Sequence, residues 1–135
     1  MEEALDTMKN VLLVDDDHIF NFLSAKILQK TGIAGEINTA LNGKEALDIL
    51  NNRYRDSVTV PDVILLDLNM PIMDGFTFLE AFKELNMPHK DNIQIIVVSS
   101  SQDPRDIQRA RDLGVKHYMQ KPITEHGLKA VLSDN

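Results

Sequence analysis

The sequence predicts a single α/β domain built on a doubly wound parallel sheet, and three observations carry that prediction. The first is a set of short runs that are apolar throughout: Val11-Leu12-Leu13-Val14, Val63-Ile64-Leu65-Leu66 and Ile95-Ile96-Val97-Val98. Continuous rather than alternating apolar runs suit strands buried on both faces of a parallel sheet. The second is that segments of helical period lie between these runs, the alternation expected of β-α units with right-handed crossovers. The third is that each run stops at a chemically potent side chain. The first meets Asp15-Asp16-Asp17, the second Asp67 and the third Ser99, while a weaker run, Val115-Lys116-His117-Tyr118-Met119, is followed by Lys121-Pro122. Ligands of an open parallel sheet bind beyond the carboxyl ends of its strands. Carboxylates, a hydroxyl and an ammonium therefore converge on one edge, a combination suited to a cation and a phosphoryl group.

The elements follow in order. After the Asp triplet, Ile19, Leu23 and Ile27 recur every four residues, widened by Phe20 and Leu28 into an apolar stripe, and Gly32 is placed to end that helix. Glu36 to Ala40 reads as a short strand, and Asn42-Gly43 opens a helix carrying Ala46, Leu47 and Leu50. Asn51 to Pro61 is polar and reads as a surface connection. Asp74 caps a third helix whose Phe78, Leu79, Phe82 and Leu85 face inward, and Asn86 to Asn92 reads as a loop. Asp103-Pro104 supplies a cap and a tolerated first-turn proline for a helix with Ile107, Ala110 and Leu113 that ends at Gly114. The last helix carries Leu128, Val131 and Leu132. Five β-α units account for the chain, with no internal repeat and nothing left for a second domain.

Composition narrows the function. The 135 residues fit one domain, and an apolar content of 43% is that of an ordinary globular chain. A net charge of −7 argues against non-specific nucleic-acid binding but leaves room for a basic protein partner. The chain has no cysteine, so disulfides and thiolate metal sites are excluded. No apolar stretch approaches the roughly 20 residues that span a bilayer, and Met1-Glu2-Glu3 is acidic where a secretory signal is basic. The expectation is a soluble cytoplasmic protein without membrane or nucleic-acid contacts.

Carboxylates about 4 Å apart repel by roughly 4 kcal/mol at an effective dielectric near 20, so gathering Asp15, Asp16 and Asp67 at one edge calls for a cation. Oxygen ligands with no His or Cys nearby favour Mg²⁺ over zinc or copper. The triplet alone is equally well explained by Asp17 or Asp16 capping the helix at His18; Asp67 tips the balance. Asp67, directly after a buried strand, suits a nucleophile that forms an acyl phosphate. Ser99 is one of three consecutive serines, so which hydroxyl matters stays open at this point. Lys121, before a proline and just past the final strand, can set a point charge on a phosphate, and the Lys121-Pro122 bond is a candidate for the cis form. Tyr118 is either an edge-strand core residue or a surface rotamer switch. Met70, Ile72, Met73 and Phe76 are either packing or a partner surface. The histidines at 18, 89, 117 and 126 lack metal-ligand spacing and read as structural or solvated.

In order and spacing, these residues resemble the receiver domain of two-component response regulators. The motifs are Val14-Asp15-Asp16, Leu66-Asp67-Leu68-Asn69-Met70-Pro71-Ile72-Met73-Asp74-Gly75, Val98-Ser99-Ser100 and Lys121-Pro122, and the match runs from about Asn10 to Leu132. The resemblance implies one receiver domain over 1–135, with its core from about 10 to 133, and a flavodoxin-like five-stranded sheet in the order 2-1-3-4-5. It implies that Asp67 accepts a phosphoryl group from a histidine kinase or phosphotransfer protein. Asp16 and Asp67 would ligate Mg²⁺ directly with the main-chain carbonyl of Asn69, and Asp15 through water. Ser99 and Tyr118 would form the switch, Lys121 would contact the phosphate, and the side chains of Asn69 and Ser101 would tune dephosphorylation. Ser99 stands where threonine is commoner, which keeps the hydroxyl and loses a methyl. The connections 51–61 and 86–92 are long, which suggests a stand-alone subfamily such as the small regulators paired with phytochrome-like kinases.

On this reading the chain is a regulator whose output is protein contact, not an enzyme that turns over an external substrate. Three alternatives compete with it. A small aspartyl-phosphate hydrolase wants a second carboxylate where Asn69 stands. A flavodoxin-like cofactor carrier wants a phosphate loop where the Asp triplet would repel phosphate. A receiver-fold interaction module would signal without phosphate. The kinase, the output partner and dimerisation are left open by the sequence.

Overall fold

Five parallel strands form one sheet in the order β2-β1-β3-β4-β5 in the structure, a computed structural model that describes residues 8–53 and 60–133. The strands are β1 (Lys9–Val14), β2 (Ala34–Ala40), β3 (Val63–Leu66), β4 (Gln94–Ser99) and β5 (His117–Gln120). The helices are α1 (His18–Thr31), α2 (Gly43–Arg53), α3 (Gly75–Glu84), α4 (Pro104–Asp112) and α5 (Glu125–Ser133). The fold class and strand order expected from the sequence are those observed.

The continuous apolar runs fill both faces of the sheet, because successive strand residues point to opposite sides. Leu12, Val14, Ile64, Leu66 and Val97 join Ala46, Leu50, Phe78, Leu79 and Ala110 in a core under α2, α3 and α4. Val11, Leu13, Val63, Leu65, Ile96 and Val98 join Leu28, Leu128 and Leu132 in a second core under α1 and α5.

Local chemistry ends most elements where the sequence signals it. Asp17 caps α1 by accepting from the amides of Ile19 and Phe20, and Gly32 closes it at φ 73°. The Asn42 side chain accepts from Glu45 N, while the Glu45 carboxylate reaches back to Leu41 N, so both free ends of the α2 entry are satisfied. Asp74 and Asp103 cap α3 and α4.

Several expected boundaries and faces need correction. β2 begins at Ala34 rather than Glu36. β5 begins only at His117, because the Val115 amide still bonds the Ala110 carbonyl and closes α4. α2 runs through Arg53, two residues beyond the expected start of a connection at Asn51; 54–59 lie outside the described residues. The segment expected as a loop over Asn86 to Asn92 contains a 3₁₀ turn at Lys90–Asn92. The apolar stripe of α1 is also rotated. Ile19 and Leu23 are 71% and 52% exposed, and the buried positions of α1 are Asn21, Ser24, Leu28 and Thr31.

Candidate functional site

Main-chain bonds just past the strand ends assemble the site. The Asp15 amide bonds the Ala40 carbonyl, the Asp67 amide bonds the Val14 carbonyl, and the Lys121 amide bonds the Ser99 carbonyl. Val14 is in register with Leu66 and Ser99 with Gln120. Asp15, Asp67, Ser99 and Lys121 are thus set at the carboxyl edge by the sheet ladder itself, as the sequence predicts.

Carboxylate oxygens of Asp15, Asp16 and Asp67 lie within 4.8 Å of one another. Asp15 and Asp67 are buried and Asp16 is exposed, so the cluster is open on one side. Asp15 is braced from three directions. Its Oδ1 accepts from the Asp17 amide at 2.9 Å, its carbonyl accepts from the buried Asn21 Nδ2 at 2.8 Å, and its Oδ2 is ion-paired with Lys121 Nζ at 2.8 Å. That ion pair is close but poorly directed, and Oδ2 takes no hydrogen bond of good geometry. Lys121 Nζ is also 3.6 Å from Asp67 Oδ1 and 4.3 Å from the centroid of the Phe20 ring. The Lys121-Pro122 peptide is cis, the form for which it is a candidate on sequence.

These neighbours set the protonation energetics. Burial pushes the Asp67 carboxyl up from 3.8 to about 6, and the Asp15 charge adds to the rise. Lys121 and the amides of Asn69 and Leu68 oppose it without cancelling it. Burial by itself would lower Lys121, but its close polar contact with Asp15 and the charges of Asp67 and Asp15 outweigh that and hold it above its usual value. Three carboxyl groups gathered around one ammonium favour a further positive charge in the pocket. Its donor set is oxygen only, with one buried carboxylate oxygen still lacking a well-directed partner. A hard divalent cation fits that set.

α3 approaches the site closely. The Gly75 amide bonds the Leu68 carbonyl at 3.0 Å, and a Cβ on Gly75 would stand 2.5 Å from the Asp67 carbonyl oxygen. Only glycine permits that approach.

Of the three serines, Ser99 is fully buried and its Oγ accepts from the Ser101 amide at 3.1 Å, whereas Ser100 is exposed. The Ser101 hydroxyl donates to Asp106 at 2.7 Å, and the half-buried Tyr118 hydroxyl donates to the Ser101 carbonyl at 3.0 Å. Asn69 is exposed in the loop after Asp67. Met70 and Phe76 are core residues, Met73 packs against the core, and Ile72 is 80% exposed at φ 70°. Among the described residues the acidic trio is the one group placed to hold a metal, and no histidine joins it. Sequence reasoning missed the contact of Phe20 with Lys121, because an aromatic on a helical stripe gives no sign of which loop it meets. A separate cleft of about 720 Å³ opens at the opposite sheet edge, between Phe82, Lys83, Lys90, Ile93, Leu113 and Lys116, and holds none of these residues.

A five-stranded 2-1-3-4-5 sheet with an acidic trio and a lysine at its carboxyl edge defines a signalling module of the CheY-like type. The model of the response regulator receiver domain matches residues 11–133, and the chain belongs to that family. A curated relative, the two-component response regulator ARR22 of Arabidopsis thaliana, is 32% identical over 132 residues, covering 97% of this chain and 86% of the relative. The solved two-component response regulator from Cytophaga hutchinsonii superposes with a TM-score of 0.85 at 34% identity, covering 94% of this chain and 96% of that one. The bacteriophytochrome response regulator AtBRR gives a TM-score of 0.77 at 32% identity, covering 94% and 91%. Other relatives are far longer: the chain spans 14% of the sensor histidine kinase CheAY of Helicobacter pylori. Among the described residues no helix is long and apolar enough to cross a membrane.

Proposed function

We infer that this receiver domain is a phospho-acceptor in which Asp67 takes a phosphoryl group from a phosphohistidine of a histidine kinase or phosphotransfer protein. The observation that carries this reading is the buried Asp67 carboxylate, set within one pocket with Asp15, Asp16 and the Lys121 ammonium. An Asp67 oxygen attacks phosphorus, a P–O bond forms, and the P–N bond breaks. The electron pair leaves with the imidazole nitrogen, giving an acyl phosphate on Asp67 and a free histidine on the donor. Asp16, Asp67 and the Asn69 carbonyl would hold Mg²⁺, with Asp15 acting through water. The ion would neutralise charge on the phosphoryl oxygens. Lys121 then leaves its partnership with Asp15 for a phosphoryl oxygen. The Ser99 hydroxyl turns toward the new phosphate, and the signal passes through Ser101 and Tyr118 to α4 and β5, which present the switched surface to an output protein in the cytoplasm. The side chains of Asn69, two residues after the acceptor, and Ser101, two residues after Ser99, would tune how fast water removes the phosphate.

Intact-protein mass after incubation with acetyl phosphate tests the reading. A Mg²⁺-dependent phosphoryl adduct in the wild type, absent from Asp67→Asn, is expected. No adduct under any condition would leave a receiver-fold interaction module that signals without phosphate.

A further inference from the structure

The acceptor pocket contains one contact that belongs neither to the acidic trio nor to the serine relay. Phe20 lies on the first turn of α1, and its amide donates to the cap Asp17 at 3.1 Å, so its backbone is tied to the same segment that supplies Asp15 and Asp16. Its ring face meets Lys121 Nζ at 4.3 Å to the centroid. The other groups around that ammonium are Asp15 at 2.8 Å and Asp67 at 3.6 Å. Both carboxylates are also cation ligands or their neighbours, and a cation that engages them weakens their hold on Lys121. An aromatic face attracts an ammonium through its quadrupole while carrying no net charge and offering nothing to a hard metal. Phe20 is therefore the support of Lys121 that survives metal binding. Without it, a side chain with four rotatable bonds is released into solvent at the moment it is needed.

We propose that Phe20 is a positioning residue for phosphoryl transfer to Asp67, holding the Lys121 ammonium at the pocket where it meets the incoming phosphoryl oxygens. The proposal rests on the phospho-acceptor reading above. Its test follows adduct formation from acetyl phosphate at saturating Mg²⁺ in the wild type, Phe20→Leu and Phe20→Trp, and then the same leucine substitution in a Lys121→Met background. Phe20→Leu is expected to slow the reaction by about threefold to thirtyfold, the span of a cation–π contact at a partly desolvated site, with Mg²⁺ affinity by calorimetry unchanged. Phe20→Trp keeps a ring face and restores most of the rate. In Lys121→Met the leucine substitution has no further effect, because the group it acts through is gone. The Lys121 side-chain proton resonances, displaced by the ring current in the wild type, move to ordinary positions in Phe20→Leu. A wild-type protein that forms no adduct overturns the acceptor reading and this proposal together. A wild type that reacts while Phe20→Leu keeps pace with it overturns the role of Phe20 alone. That role is equally overturned if the leucine effect persists undiminished without Lys121.

Discussion

Because burial and the Asp15 charge raise the Asp67 carboxyl from 3.8 to about 6, the folded protein holds that proton more tightly than the unfolded chain does. Stability therefore falls as pH rises through the window from 3.8 to about 6, and above it the full penalty persists. The raised value corresponds to a penalty on the order of 3 kcal/mol at neutral pH in the absence of metal. Asp67→Asn removes the charge at nearly constant shape, so it is expected to stabilise the metal-free protein by about 1–3 kcal/mol near neutral pH, a gain that vanishes below the window. Urea denaturation in chelator at the two pH values checks this, and equal midpoints near neutrality would contradict it. Metal binding requires the ionised carboxylate, so Mg²⁺ affinity is expected to drop about tenfold per pH unit below the Asp67 titration. Gly75 belongs to the same scale. A methyl group there would meet the Asp67 carbonyl at 2.5 Å and Leu68 Cα at 2.9 Å, both backbone atoms that cannot swing away. Gly75→Ala is expected to destabilise the fold by about 1–3 kcal/mol, as overpacked sites do, and to lower phosphorylation by displacing Asp67; thermal unfolding and adduct mass read the two effects separately.

Ser101 gathers three elements at the end of β4. Its amide bonds Ser99 Oγ, its hydroxyl donates to Asp106 in α4 and accepts from the Asp103 amide, and its carbonyl accepts from Tyr118 in β5. On the proposed phospho-acceptor reading, a turn of Ser99 toward phosphate would break the first of these bonds and loosen the rest. Ser101→Ala is expected to cost about 1 kcal/mol, the usual worth of a partly buried hydrogen bond. It should also shrink the amide chemical-shift changes that beryllofluoride induces in α4 and β5, while those around Asp67 remain. Shifts in α4 as large as those of the wild type would show that the signal takes another route. The sequence made the strands and the acidic trio legible, because a parallel sheet announces itself by continuous apolar runs and puts chemistry at their ends. It did not reveal the Ser101 junction, whose partners Asp106 and Tyr118 are brought together only by tertiary packing. α1 departs from its apolar period for a related reason. Its inward face carries Asn21, which holds the Asp15 carbonyl, and Thr31, which bonds the Leu28 carbonyl, so part of its buried side is polar. A hydrophobic period reports the apolar face of a helix, and in α1 part of that face points outward.

For the whole molecule, the outward apolar face of α1 has a consequence for partners. Ile19, Phe22 and Leu23 are 71%, 61% and 52% exposed, and they sit on the helix whose N-terminus is capped beside Asp15 and Asp16. Ile72, 80% exposed, adds an apolar residue from the loop after β3. A protein that delivers a phosphoryl group to Asp67 must cover that same sheet edge, so an apolar rim beside a negatively charged pocket suits a donor with an apolar docking face and basic surroundings. The net charge of −7 would speed the encounter with such a partner at low salt. Acetyl phosphate needs no such rim. Leu23→Glu, remote from the ligating atoms and already half exposed, is therefore expected to change stability by no more than about 0.5 kcal/mol and to leave adduct formation from acetyl phosphate unchanged. Transfer from a histidine-phosphorylated phosphotransfer domain should fall by about tenfold or more, the loss expected from placing a charge in an apolar contact. The comparison is internal to one protein preparation, with the small donor as the control for a working pocket. If both donors slow together, α1 acts through the pocket rather than through docking. If neither slows, the exposed apolar face has another occupant and the phosphodonor approaches from the loops alone.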